Sequence, residues 1–209
     1  MQVTIDDTRA SAAGRAETSA VVSFRQMIDG TKDDYELLQR LEHDYISHLP
    51  ERLVASLRAL DGGLAGYPVS RFEHSLQSAT RAERDGADID WIIGALLHDI
   101  GDELAPCNHS QMAASIIRPY VRAEVTWVVN VHGVFQQHYY GHHIGLDPDA
   151  RELYRSHQWF DSAERFCLRW DQASFDPGYR SEPIEHFEPM LRAVFARQPF
   201  DPAVVGEEV

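Results

Sequence analysis

Lysine is almost absent from this chain. Of 19 basic residues in 209, all but Lys32 are arginine, and Lys32 lies upstream of every motif described below. Schiff-base chemistry through lysine is thereby excluded from nearly the whole sequence. Cysteine is equally scarce: Cys107 and Cys167 form no framework pattern and read as free thiols, Cys107 as a small buried residue. Long apolar runs are lacking too. No stretch of about 18 such residues occurs, so no membrane span is expected. The N-terminus has no apolar core of a signal peptide, which makes the cytoplasm the expected compartment. Positive charge is outweighed by 33 acidic residues, leaving a formal net charge of -14. Such a surface repels phosphate backbones and anionic membranes, so neither is an expected partner. A small anionic substrate stays open, because a bound metal can invert the local field.

What is present is enough apolar material, 44% of residues, for one good-sized core. The first 20 residues are small, polar and aperiodic and read as a mobile tail. Residues 21–200 read as one helical domain, and 201–209 as a flexible end. Tyr35, Leu37, Leu38, Leu41 and Tyr45 fall at helical spacing over 33–47. Pro50 opens a second helix with Leu53, Leu57 and Leu60 on one stripe, stopped by Gly62 and Gly63. Ser70 and Glu73 have capping-box spacing, which starts a helix running to about residue 83. Asp88 or Asp90 caps the next, about 91–99, whose WIIGALL run is apolar on nearly every side and so belongs in the centre of the fold. Further helices are expected over about 109–117, 123–131, 161–172 and 183–196. The His-rich, aromatic stretch 135–158 reads as a loop with a short helix near 150–157, with His138, His142 and His143 near the mouth of a site and Tyr139 and Tyr140 as packing residues. No alternating strand pattern appears, so the predicted class is all-α, a single compact bundle.

The chemistry centres on His98-Asp99 at the end of that apolar helix. Burying an ionisable pair is costly unless it is paired or binds a metal. Imidazole nitrogen and carboxylate oxygen suit iron, manganese or zinc. A carboxylate can bridge two ions with its two oxygens, which makes Asp99 the natural bridge. Further candidates are His74 after the capping box, His109 and His132 at helix ends, and Asp171 in FCLRWDQ. They divide into His74, His98, Asp99 and Asp171 for one ion, and Asp99, His109 and His132 for the other. Three or four protein ligands per ion leave positions open for water, oxygen or substrate.

The order H…HD…H…H…D, with ALLHDIGD at its centre, resembles the HD-domain superfamily over roughly residues 65–175. EHSLQSA around His74 and RWDQ around Asp171 resemble the organophosphonate-cleaving HD oxygenases, relatives of myo-inositol oxygenase. That resemblance implies two iron ions, one Fe(II) and one Fe(III), bridged by Asp99, with dioxygen as co-substrate. It also implies oxidative cleavage of a small hydroxylated substrate: an amino alcohol, a polyol or a hydroxyphosphonate. The superfamily's dinuclear phosphohydrolases are the alternative it implies. Three positions differ from those families and are candidate substrate contacts. Asp102 stands where a lysine or histidine is common, Gln136 stands in place of a phosphonate-binding lysine, and Tyr67 matches a lid tyrosine without the family's spacing. A carboxylate at 102 favours an amine, a quaternary ammonium or hydroxyls over a phosphate.

Overall fold

Caps and breakers set the elements of residues 21–206, the part of the chain that the computed structural model describes. The expected N-terminal tail, 1–20, lies outside these residues, as do 207–209. Helices alternate with turns and 3-10 segments, and no strand occurs among the described residues, as the all-α prediction requires. The chain divides into two units, one up to Ile46 and one from Ser47 onward; the division falls inside the 21–200 span expected to be one domain.

In the first unit, α1 (Lys32–Ser47) is started by Asp34. The buried Asp34 carboxylate accepts from Ser23 N at 2.7 Å and Ser23 Oγ at 3.0 Å, and from Thr31 N at 2.9 Å and Thr31 Oγ1 at 2.7 Å. These donors, Ser23 N foremost, hold its pKa well below the usual carboxylate range.

The second unit carries the remaining helices. α2 (Leu49–Ala59) has Pro50 in its first turn, where no backbone donor is lost, and buries Leu53 and Leu57. α3 (Arg71–Arg84) starts at Ser70, whose Oγ accepts from Glu73 N at 3.1 Å. Only that half of the expected capping box forms: the Glu73 carboxylate accepts instead from Ser181 Oγ at 2.7 Å. α4 (Ile89–Leu97) is capped by Asp88, and Asp90 through Leu97 are all buried. It packs against α3, α6 and α8, the central position its apolar run predicts. At Gly94 an added Cβ would lie 2.6 Å from Val125 Cγ1, so α4 and α6 approach as closely as they do only because no side chain intervenes.

α5 (His109–Ile117) matches the expected span. α6 (Ala123–Tyr140) runs nine residues past the expected end at Val131. Phe135 and Tyr139, four apart, continue its core-facing stripe, and the helix runs through Gly133 to Gly141. The expected loop therefore begins six residues late, and 150–157 holds only a 3-10 turn, Ala150–Tyr154. α7 (Phe160–Phe166) passes into a π-turn, Cys167–Asp171, closed by Gln172 N on Cys167 O at 3.0 Å. α8 (Ile184–Phe195) buries Ile184, Phe187, Leu191, Val194 and Phe195. The short α9 (Pro202–Val205), capped by Asp201, occupies part of the stretch expected to be flexible.

Candidate metal centre

Five pieces of backbone bring the six expected ligands together. His74 lies one turn inside α3, His98 caps the C-terminal end of α4, and Asp99 follows it. His109 opens α5, His132 sits within α6, and Asp171 closes the π-turn. Gly101 lets the turn after Asp99 lie against the start of α5: an added Cβ would stand 2.8 Å from His109 O and 2.9 Å from its Cα. All six are buried except His109, whose side chain is 23% exposed.

The two oxygens of Asp99 face different sets. Oδ2 lies 3.4 Å from His74 Nε2 and 3.3 Å from His98 Nε2. Oδ1 lies 3.3 Å from both His109 Nε2 and His132 Nε2. Asp171 Oδ1 completes the first set, 3.3 Å from His74 Nε2 and 3.6 Å from His98 Nε2. Among the described residues, three overlapping groups could each hold a cation: His74, His98 and Asp171; His98, Asp99 and His132; and Asp99, Asp102 and His109.

Ring orientation narrows the chemistry further. His98 Nδ1 donates to Ala95 O at 2.8 Å, His132 Nδ1 to Val129 O at 2.7 Å, and His74 Nδ1 to Ser174 O at 2.9 Å. With Nδ1 protonated, the neutral tautomer leaves a lone pair on Nε2. The His74 and His98 Nε2 atoms are 3.1 Å apart. Two lone pairs at that distance repel unless a proton or a metal ion lies between them. Asp171 Oδ2 adds a buried carboxylate oxygen without a hydrogen-bond partner. A nitrogen–oxygen donor set with no thiolate, converging on one buried point, fits first-row metal ions such as iron, manganese or zinc.

The same geometry sets the charges of the metal-free protein. Burial opposes charge on His98, but the Asp99 and Asp171 carboxylates outweigh it and raise its pKa well above the usual value; His74 is raised by the same two groups. Burial also opposes charge on Asp99, yet the neighbouring imidazoles, His98 first, hold its pKa well below normal; Asp171 is lowered by His74 and His98.

Arg71 is a member of the site that the sequence reading misses. Its side chain is largely buried, with Nη2 3.2 Å from Asp99 Oδ2 and Nε 2.6 Å from Asp102 Oδ2. Asp102 Oδ1 lies 3.2 Å from His109 Nδ1. Asp102 thus stands beside the centre as expected, but its charge is already engaged on both oxygens. That removes the basis for reading it as a free counter-charge for an amine. Gln136 Nε2 donates to Asp171 Oδ1 at 2.6 Å, so it steadies an oxygen of a candidate ligand. Tyr67 stacks on Phe175 at 5.0 Å, and Phe175 stacks on the His74 ring at 4.3 Å. Phe175, like Arg71, is absent from the sequence-derived set.

The His-rich stretch does not join the centre. His138 Nδ1 donates to Pro148 O at 3.0 Å, and the His142 and His143 rings lie on each other in exposed positions. Cys107, expected to be buried, is exposed, because it lies in the turn before α5; Cys167 is buried and contacts His132 O. A cavity of about 240 Å³ opens beside His109, with Arg71, Asp102, Leu60, Leu64 and Pro106 among its walls.

Residues 71–164 match the family model of the HD domain. This segment is an HD domain. It contains His74, His98, Asp99, His109 and His132, while Asp171 lies beyond its end. Over 78 residues the chain is 35% identical to the 1-hydroxy-2-(trimethylamino)ethylphosphonate dioxygenase (glycine-betaine-forming) of Leisingera caerulea. That match covers 32% of this chain and 40% of the relative. The HD domain therefore accounts for the crossing of α3 to α6 that builds the centre, and the π-turn after it supplies the last carboxylate. No helix among the described residues is long and apolar enough to cross a membrane.

Proposed function

We propose that this protein is an HD-domain oxygenase with a dinuclear iron centre that oxidises a small hydroxylated molecule. The observation that carries the reading is the division of Asp99, one oxygen toward His74 and His98 and the other toward His109 and His132. On this reading His74, His98, Asp99 and Asp171 hold one ion, and Asp99, His109 and His132 hold the other. The pair of irons, mixed-valent Fe(II)/Fe(III), supplies dioxygen activation and a Lewis acid for the substrate hydroxyl. The dioxygenase activity in the relative's name supports oxygen chemistry over phosphate hydrolysis.

The chain's own residues do the remaining work. Backbone carbonyls fix three imidazoles in the tautomer that presents Nε2. Phe175 and Tyr67 cover the His74 face and keep water from that side. The cavity beside His109 is the route for a small substrate. Arg71 is already on Asp102, and Glu103 is a further carboxylate in the cavity wall, so the proposed substrate is a small hydroxylated molecule, with an ammonium group allowed. A chain of net charge -14 offers no surface for nucleic acid or an anionic membrane, and a small molecule is the proposed partner.

The test is anaerobic purification, metal analysis and a search for the paramagnetic signal of a mixed-valent diiron pair. Two irons per chain, and a signal perturbed by amino alcohols, polyols or hydroxyphosphonates, are expected. Zinc or manganese alone, with phosphatase activity and no oxygen uptake, would make the protein a phosphohydrolase.

A further inference from the structure

Three of the four site histidines are oriented by backbone carbonyls. His109 differs: its Nδ1 lies 3.5 Å from Pro106 O, at the limit of a hydrogen bond, and 3.2 Å from Asp102 Oδ1. Asp102 is in turn held by Arg71 Nε at 2.6 Å, and Arg71 Nη2 reaches Asp99 Oδ2 at 3.2 Å. Since His109 Nε2 faces Asp99 Oδ1, the four side chains close a ring: Asp99, Arg71, Asp102, His109 and back to Asp99. Outside this ring, the Nδ1 of each of the other three imidazoles is held by a backbone carbonyl. His109 alone has a carboxylate on its Nδ1, and it alone of the six candidates is partly exposed, at the wall of the cavity.

From this we infer that Asp102, anchored by Arg71, is a positioning residue that sets the affinity of the second metal position (Asp99, His109, His132) and leaves the first unaffected. The inference rests on the dinuclear reading of the centre. A carboxylate on the far nitrogen of a ligand imidazole fixes the ring and raises its basicity. Removing it frees the His109 ring to turn toward solvent, while His74, His98 and Asp171 keep their own supports. The two positions thereby become separable by a residue outside the proposed ligand set.

The experiment strips the full chain with chelator and titrates it with Mn²⁺, reading bound ions per chain and the affinity of each. The unsubstituted protein is expected to take two. Asp102→Ala is expected to keep the first at unchanged affinity and to bind the second about 10- to 100-fold more weakly. Asp102→Asn retains an oxygen that can accept from His109 Nδ1, so its loss is expected to be smaller; it also carries the test if the alanine variant does not fold, as judged by circular dichroism. Glu103→Gln removes the same charge one residue away on an exposed side chain and is expected to change neither position. Two ions bound as tightly by Asp102→Ala as by the unsubstituted chain would overturn the inference. So would loss of both ions from a folded variant, or equal weakening by Glu103→Gln. Fewer than two ions in the unsubstituted chain would instead remove the dinuclear reading itself.

Discussion

Replacing Asp99 by asparagine leaves one carboxamide oxygen where two carboxylate oxygens faced two ligand sets. Asp99→Asn is expected to hold at most one ion per chain, with activity down by about 100-fold or more, beyond the usual cost of a supporting residue; metal content and oxygen uptake measure this. Proton competition gives a second prediction. His74 and His98 carry raised pKa values in the metal-free protein, so protons hold those nitrogens above the ordinary histidine value of about 6.5. Metal affinity should fall with decreasing pH starting above that value. For stability the sign reverses. The raised histidines stabilise the metal-free fold fully below about pH 6.5 and lose that contribution as pH rises through their folded values. Asp99, lowered, contributes above the ordinary carboxylate range and loses it only as pH falls toward its folded value. The rise in melting temperature on adding Mn²⁺ should therefore be larger at pH 8.5 than at pH 6. Of the six candidate ligands, His74, His98, Asp99, His109 and His132 stand near marked places in the sequence, such as a cap, the end of an apolar run or the start of a helix, whereas Asp171 has only the RWDQ resemblance to point to it. Arg71 is not legible, since an arginine in a polar first turn looks like solvated surface until Asp99 and Asp102 are folded against it.

At the level of elements, the start of α3 and the turn after α4 decide whether ligands arrive in register. Ser70→Ala removes the acceptor for Glu73 N and should cost about 1 kcal/mol in chemical denaturation, with metal content little changed because His74 is pinned elsewhere. Gly101→Ala should behave differently. The new Cβ meets backbone at His109, so the start of α5 must move; a loss of about 1–3 kcal/mol is expected, together with weaker binding at the His109 side. Helix starts were legible through Ser70, Asp88 and Pro50. The true end of α6 was not, because the aromatic and histidine-rich run from Phe135 to Tyr140 has a composition common in loops while its spacing still serves the core. The π-turn at Cys167–Asp171 carries no local signal in FCLRWD; it is marked by a hydrogen bond shifted by one residue, Gln172 N to Cys167 O.

Across the whole second unit, the ligands come from α3, the α4–α5 turn, α5, α6 and the π-turn, so bound metal would tie together segments nearly 100 residues apart. An ion present at about 100 times its dissociation constant adds about 2.7 kcal/mol, which for a domain of this size is roughly 5–10 °C in melting temperature. Chelation should lower the transition by about that amount, and calorimetry with and without chelator checks it. Surface pairs such as Arg58–Glu185, both largely exposed, contribute little by comparison. The all-helical class and the order of the elements followed from periodicity and caps alone.

His98 and His132 each donate to the carbonyl three residues earlier in their own helix. Each ring therefore travels with its helix as part of one rigid lever. Sliding of α4 against α6 would alter the spacing between the imidazoles and leave their tilt unchanged. Mechanical strain in the bundle would then reach the centre as a stretching of bonds along a fixed direction.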